Sequence, residues 1–301
     1  MRYDAAIVGG SFAGLSAALQ LVRARRTVVV IDAGRPRNRF SAHSHGFLTR
    51  DGAPGSELLA TARAQVSAYP TATLVSGEAT SARALDGTFE VEVTGRERIA
   101  AKRMLLATGV IDVLPDIPGL TERWGKTVVP CPYCDGYEIG GGSIGVLATS
   151  PLSVHHAALI ADWGDVTLFT NRAVELDAEA RTMLARRSVT IEPESVSRIE
   201  GATPAIAGVR LADGRLVSVK ALFLISQMRM ASPLAEQLGC TFDEGPAGPI
   251  VRTDAFKLTT TAGVYAAGDA ATMRASITFA SADGVAAAVG LHQSLIVEHA
   301  A

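Results

Sequence analysis

The chain has 301 residues, of which 48% are hydrophobic and 19% charged, enough to bury well-formed cores and a better match to two medium domains than to one large one. Lys and Arg number 28 against 30 Asp and Glu, a formal charge of -2, which gives no electrostatic case for nucleic acid or an anionic membrane surface as a partner. No apolar run is long enough to cross a bilayer, and the N-terminus lacks the pattern of a secretory signal, so a cytoplasmic protein meeting a small molecule or another protein is expected.

Residues 4–8 form an apolar run that leads directly into Gly9-Gly10-Ser11-Phe12-Ala13-Gly14, and a helical stretch follows over 15–25. A second apolar strand, 27–31, ends at Asp32. This strand–turn–helix–strand order predicts a dinucleotide-binding unit: Gly9, Ser11, Ala13 and Gly14 let backbone amides approach a pyrophosphate at the helix N-terminus, and Asp32 accepts from a ribose hydroxyl. Ser11 departs from the pattern, standing where the middle glycine of G-x-G-x-x-G would be. An ordinary tight turn has a similar look; the flanking strands and helix favour an adenine dinucleotide.

Residues 35–52 are polar and glycine-containing with little periodicity, the composition of a functional loop. Within it His43 and His45 are candidate cofactor contacts. A helix is expected over 57–66, short strands over 72–75 and 88–94 with a turn at Asp86-Gly87, and a buried strand ending in Ala107-Thr108-Gly109. Those small residues permit close backbone packing beside a bound dinucleotide. Pro115, Pro118 and Gly119 then mark a domain boundary near 112.

The chemistry-bearing stretch is Cys131-Pro132-Tyr133-Cys134-Asp135-Gly136-Tyr137-Glu138. A zinc site would want a second close pair, and the remaining cysteine, Cys240, is far away with no neighbouring His. A structural disulfide closing so short a loop would add little stability. A redox-active pair is the better reading. If a helical turn starts after Cys131, its free amides stabilise a thiolate, and Asp135 is a candidate acid for the departing sulfur.

A strand at 143–147, a turn at 148–153, a helix at 154–163 and a strand at 166–170 repeat the N-terminal order without its glycines. Pro151 removes an amide donor where a pyrophosphate would approach, and Asn171-Arg172 offers one arginine to a 2′-phosphate. The shell of a nicotinamide site is kept and its contents are weakened. His155 and His156 are read as helix-surface residues, Asp213-Gly214 as a hairpin turn, 221–225 as a buried strand and Cys240 as a small core residue. The chain is expected back in the first domain near 243, where a strand ends in Gly268-Asp269 before a helix at 281–295; Asp269 is placed to hold a cofactor hydroxyl.

With Gly9 to Gly14, Asp32, Ala107-Thr108-Gly109, Cys131-x-x-Cys134-Asp135-Gly136 and Ala267-Gly268-Asp269 in place, the chain resembles the low-molecular-weight thioredoxin reductases over nearly its full length. The resemblance implies an α/β fold of two Rossmann-like, three-layer ββα domains, the second inserted into the first: 1–112 with 243–301 binding FAD, and 113–242 of NAD(P)H-binding type carrying the C-x-x-C. It implies FAD, a homodimer, and rotation of the inserted domain. Cys134 would then exchange electrons with the flavin, Cys131 would meet the external partner, and Asp135 would move the proton. Tyr133, the turn at 148–153 and Thr170-Asn171-Arg172 depart from the usual pattern. They bring the chain closer to dithiol oxidases of the gliotoxin and holomycin type, which pass electrons to oxygen, and to ferredoxin-fed flavin reductases. The expected partner is a small dithiol or disulfide, or a thioredoxin-like protein, with oxygen or ferredoxin at the electron end; efficient use of NADPH is not expected. An NADPH-dependent thioredoxin reductase, which Arg172 and the retained strand–turn–helix order keep open, is the alternative.

Overall fold

The strand Arg2–Val8 ends in four consecutive buried apolar residues, and such a strand has to be covered on both faces. In the computed structural model of the protein, which describes residues 2–297, that is what happens. Ala5 and Ile7 enter a core shared with the helices Phe12–Arg23, Gly55–Ser67 and Ile277–Val297, while Ala6 and Val8 enter a second core on the opposite face. The alternation is the period of two that a strand imposes.

Around it lies a seven-stranded sheet. Ala72–Ser76, Val28–Asp32, Arg2–Val8, Ile99–Leu106 and Val264–Ala266 are joined in parallel, so their carboxyl ends share one edge. Thr88–Val93 and Ala79–Leu85 extend the sheet antiparallel. The expected turn at Asp86-Gly87 joins them, both residues at positive φ.

In the second unit Thr190–Glu192, Asp165–Phe169, Ser143–Leu147, Ala221–Phe223 and Val128–Val129 form a five-stranded parallel sheet. Ile144 and Val146 face the helices Leu152–Ile160 and Ala178–Arg186, and Leu147 and Leu222 face an antiparallel sheet of Val196–Glu200, Gly208–Leu211 and Leu216–Val217. Helix, parallel sheet and antiparallel sheet give the three expected layers. The hairpin at Asp213-Gly214 joins the last two strands, Asp213 Oδ1 accepting from the Arg215 amide at 2.9 Å.

The chain leaves the first unit at Ile111 and returns at Met228, earlier than the 243 expected from sequence. The reason is burial: Leu234, Ala235, Leu238 and Cys240 fill the core beneath Ala6 and Val8. The segment Phe40–Pro54 also groups with the second unit, which carries His43 and His45 there.

Candidate active site and cofactor cradle

At the carboxyl edge of the first sheet, three strand ends converge. Gly9 donates its amide to Ile31 O (2.8 Å), Ala107 to Val8 O (2.8 Å) and Ala267 to Leu106 O (3.0 Å). Gly9 has φ +110, and a Cβ there would overlap the Ala107 carbonyl, so glycine is required twice over. A Cβ on Gly14 would overlap the Gly9 carbonyl, and one on Gly284 would overlap the Ala13 carbonyl. Ser11 is the helix N-cap, yet its hydroxyl caps no amide, which leaves the position of the missing glycine with a polar group at the turn. Gly268, at φ +70, packs against Ala13. The predicted residues Gly9, Ser11, Ala13, Gly14, Ala107, Thr108, Gly109 and Gly268 thus lie at one edge of one sheet.

Asp32 ends its strand beside this turn. Its Oδ1 accepts from the Gly34 amide at 3.2 Å, and its Oδ2 is paired with Arg63. A Cβ on Gly10 would come within 2.7 Å of the Asp32 carboxyl carbon. A cavity of about 270 Å³ opens there, lined among others by Gly10, Asp32, Gly34, Arg63, Ser76 and Gly77. Glycines where a side chain would close the approach, together with an acidic strand end, fit the adenosine end of a dinucleotide. Asp269 lies just past Val264–Ala266 and is paired with Arg37, Nη1 to Oδ2 2.8 Å.

The dithiol helix, Pro132–Ile139, is built by local rules. Cys131 is its N-cap, Pro132 occupies the first turn, where no amide partner is lost, and Gly140 ends it at φ +71. Cys131 and Cys134 are joined as a disulfide with Cα atoms 5.3 Å apart. The Cys131 carbonyl accepts from the amides of Cys134 (3.3 Å) and Asp135 (3.2 Å). Gly136 sits on the Trp163 indole, where a Cβ would come within 2.6 Å, and the exposed Tyr133 ring meets Trp163 edge-on at 5.5 Å.

Burial pushes the Asp135 carboxyl up to about 6, helped by the Glu138 carboxylate and opposed by His45. An acid in that range gives and takes a proton near neutral pH. His45 Nδ1 faces Glu138 Oε1 at 3.2 Å and Asp51 Oδ1 at 3.8 Å. Glu138 was missed as a site residue, although its place one turn beyond Cys134 and Asp135 on a helix was a readable signal.

The turn of the second unit is closed rather than open. Thr149 donates its amide to Ser153 Oγ at 3.1 Å, its own hydroxyl bonds Ile225 O at 2.6 Å, and Ser153 is fully buried. Pro151 begins the helix Leu152–Ile160. Asn171 accepts from the Val196 amide at 2.8 Å, and Arg172 lies 3.7 Å from Glu194. His156 corrects the surface reading of this helix. It is buried against Phe223, and burial lowers its pKa to about 4. His155 is exposed as expected. Cys240 is buried, its thiol 3.4 Å from the Thr259 hydroxyl.

The family model described as pyridine nucleotide-disulphide oxidoreductase matches residues 3–284. The chain belongs to that family. This oxidoreductase is 36% identical to the thioredoxin reductase tcpT of Claviceps purpurea over 88% of its own length and 86% of the relative's. It is 30% identical to the thioredoxin reductase sirT of Leptosphaeria maculans, covering 96% and 93%. A crystal structure of an oxidoreductase from Agrobacterium tumefaciens superposes with a TM-score of 0.94 at 46% identity, covering 99% of both chains. The protein is therefore a thioredoxin reductase-like disulfide oxidoreductase of two-domain Rossmann fold, and membership implies a flavin. Among the described residues no helix is long and apolar enough to cross a membrane, and no group of His, Cys, Asp and Glu is arranged to hold a metal ion.

Proposed function

We propose that the protein is an FAD-dependent dithiol oxidase: it cycles the Cys131–Cys134 disulfide against its flavin, passes the electrons to oxygen, and does not use NADPH efficiently. Gly9, Ser11, Ala13, Gly14, Asp32, Ala107, Thr108, Gly109, Gly268 and Asp269 hold the FAD in this reading. Bound there, FAD supplies a two-electron carrier. A thiolate of the external dithiol attacks Cys131 Sγ, the Cys131–Cys134 bond breaks, and Cys134 takes its proton from Asp135. The second external thiolate then releases Cys131, leaving the external sulfurs oxidised and both cysteines reduced.

The observation that carries the refusal of NADPH is the turn at 148–153. Its amide at Thr149 is already spent on Ser153, and Pro151 has none to offer, so a pyrophosphate would lose the backbone contacts that such a turn normally gives it. A second reading, an NADPH-dependent reductase of a thioredoxin-like protein, is favoured by the cavity of about 590 Å³ lined by Thr170, Glu175, Arg181 and Pro193. It is also the activity that the names of the curated relatives carry.

Anaerobic stopped-flow of the flavin absorbance with NADPH, NADH or a small dithiol decides between them. Bleaching by dithiol alone, with colour restored by air, is the expected result. Fast bleaching by NADPH would overturn the proposal in favour of the reductase. Silence toward all three would overturn it in favour of a ferredoxin-type electron donor.

A further inference from the structure

Glu138 stands three residues after Asp135 and four after Cys134 on one helix, the spacing at which helical side chains are neighbours. Helical side chains lean toward the N-terminus, so Glu138 is directed back over Asp135 rather than away from it. It does not stand alone. His45 Nδ1 lies 3.2 Å from Glu138 Oε1, although the two residues are far apart in sequence. The loop that brings His45 there is closed on itself: Ser44 donates its amide to Ala53 O at 2.9 Å, Gly52 returns one to Ser44 O at 3.0 Å, and Asp51 Oδ1 accepts from the Gly46 amide at 2.8 Å. Asp51 Oδ1 is also 3.8 Å from His45 Nδ1. The imidazole is thus held between two carboxylates, of which only Glu138 belongs to the dithiol helix.

We propose that Glu138, held in place by His45, is a positioning residue that sets the pH at which Asp135 gives up its proton during thiol–disulfide exchange. The inference rests on Cys131–Cys134 being the redox pair and Asp135 its acid. Glu138 brings a like charge close to Asp135 and favours its protonated form; His45 partly compensates that charge, and Asp51 in turn faces His45. These are the titratable groups that bear on Asp135 from its own helix and from the loop. Asp135 ends each exchange as it began, since the proton that it delivers to Cys134 is matched by one released from an external thiol. What Glu138 governs is the fraction of Asp135 ready to deliver at a given pH.

The test is the pH profile of the reaction between dithiothreitol and the Cys131–Cys134 disulfide in the purified protein. It is read by acid quench and mass-tagging of the new thiols, and corrected for ionisation of the probe, so that no flavin signal enters. The wild-type rate is expected to fall as pH rises through about 6, the value to which Asp135 is raised. Glu138→Gln should move that limb toward acid by roughly half a pH unit or more, the scale of a removed neighbouring charge with allowance for solvent. His45→Asn should move it the opposite way, Glu138→Asp should leave it near the wild-type position, and in an Asp135→Asn background the limb should vanish and neither substitution should matter. A limb unmoved in Glu138→Gln, or a rate lowered at every pH without a shift, would overturn the inference while leaving the proposed function intact. Exchange that persists in Cys131→Ser or Cys134→Ser would instead overturn the redox reading, and this inference with it.

Discussion

The chain builds the same strand–turn–helix–strand unit twice and furnishes its two turns differently. At Gly9 to Gly14 side chains are excluded: Cβ atoms at Gly9 and Gly14 would strike backbone carbonyls, and one at Gly10 would strike Asp32. At 148–153 side chains are admitted, with Ser153 buried and bonded to the Thr149 amide. Both turns connect a parallel strand whose last four residues are buried to a packed helix. The strand–turn–helix order alone therefore does not call for glycine; in the first unit the close approach of Gly9 to Ala107 and of Gly14 to Gly9 does, and the same glycines leave the helix N-terminus open to approach. The second turn has kept the architecture and spends its Thr149 amide on Ser153, while the Ser150 hydroxyl stays buried without a partner among the described residues.

That contrast can be broken or sharpened by substitution. The largest effect belongs to neither turn: Cys134→Ser should abolish dithiol-driven bleaching of the flavin band, and bleaching at the wild-type rate would remove Cys134 from the reaction. Asp135→Asn should slow exchange by about 10²-fold, the scale of a lost acid or base. The same variant carries a stability signature. Burial raises the folded-state pKa of Asp135 above its unfolded value to about 6, so folding takes up a proton between roughly pH 4 and pH 6. The cost of the buried charge is absent below that window and complete above it. Thermal melts should show Asp135→Asn stabilised by about 1 kcal/mol at pH 8 and unchanged at pH 4; equal shifts at both would show the carboxyl is not perturbed.

The next two effects address the turns themselves. Gly14→Ala should cost roughly 1–3 kcal/mol by overpacking and yield protein with little flavin, whereas Ser150→Ala in the second unit should stay within about 0.5 kcal/mol. Comparable losses at both would mean the two turns are under the same constraint. The smallest effect is a gain: Pro151→Gly should raise NADPH-driven bleaching by at most about tenfold, because one restored contact contributes on the order of 1.4 kcal/mol. A larger gain would locate the whole defect at Pro151.

Much of this was readable in the sequence because the signals were local. Strand, glycine turn and acidic strand end are contiguous from Ala5 to Asp32, and the dithiol stretch stands out through Cys131, Cys134 and Asp135. Ser143–Leu147 is a strand over its expected residues. What could not be read depended on contacts between distant residues. That His45 lies against a carboxylate was not legible, because its partner, Glu138, comes from far along the chain. His156 sits on a helix that is apolar on nearly every side, so no periodicity marked its burial against Phe223. The return to the first unit was placed too late because Leu234 to Cys240 offers no periodic cue until the core of Ala6 and Val8 is there to receive it.

Gly136 resting on the Trp163 indole has a further consequence, an optical one. The chain has 2 tryptophans; Trp124 is buried among Leu120, Val128 and Leu147, in a different cluster, while Trp163 lies under the dithiol helix and against the Tyr133 ring. Gly136 and Tyr133, its two contacts on that helix, lie within two residues of Cys134. If the pair cycles as proposed, Trp163 emission should change when the disulfide is reduced, and an unchanged spectrum would show that the indole does not sense it.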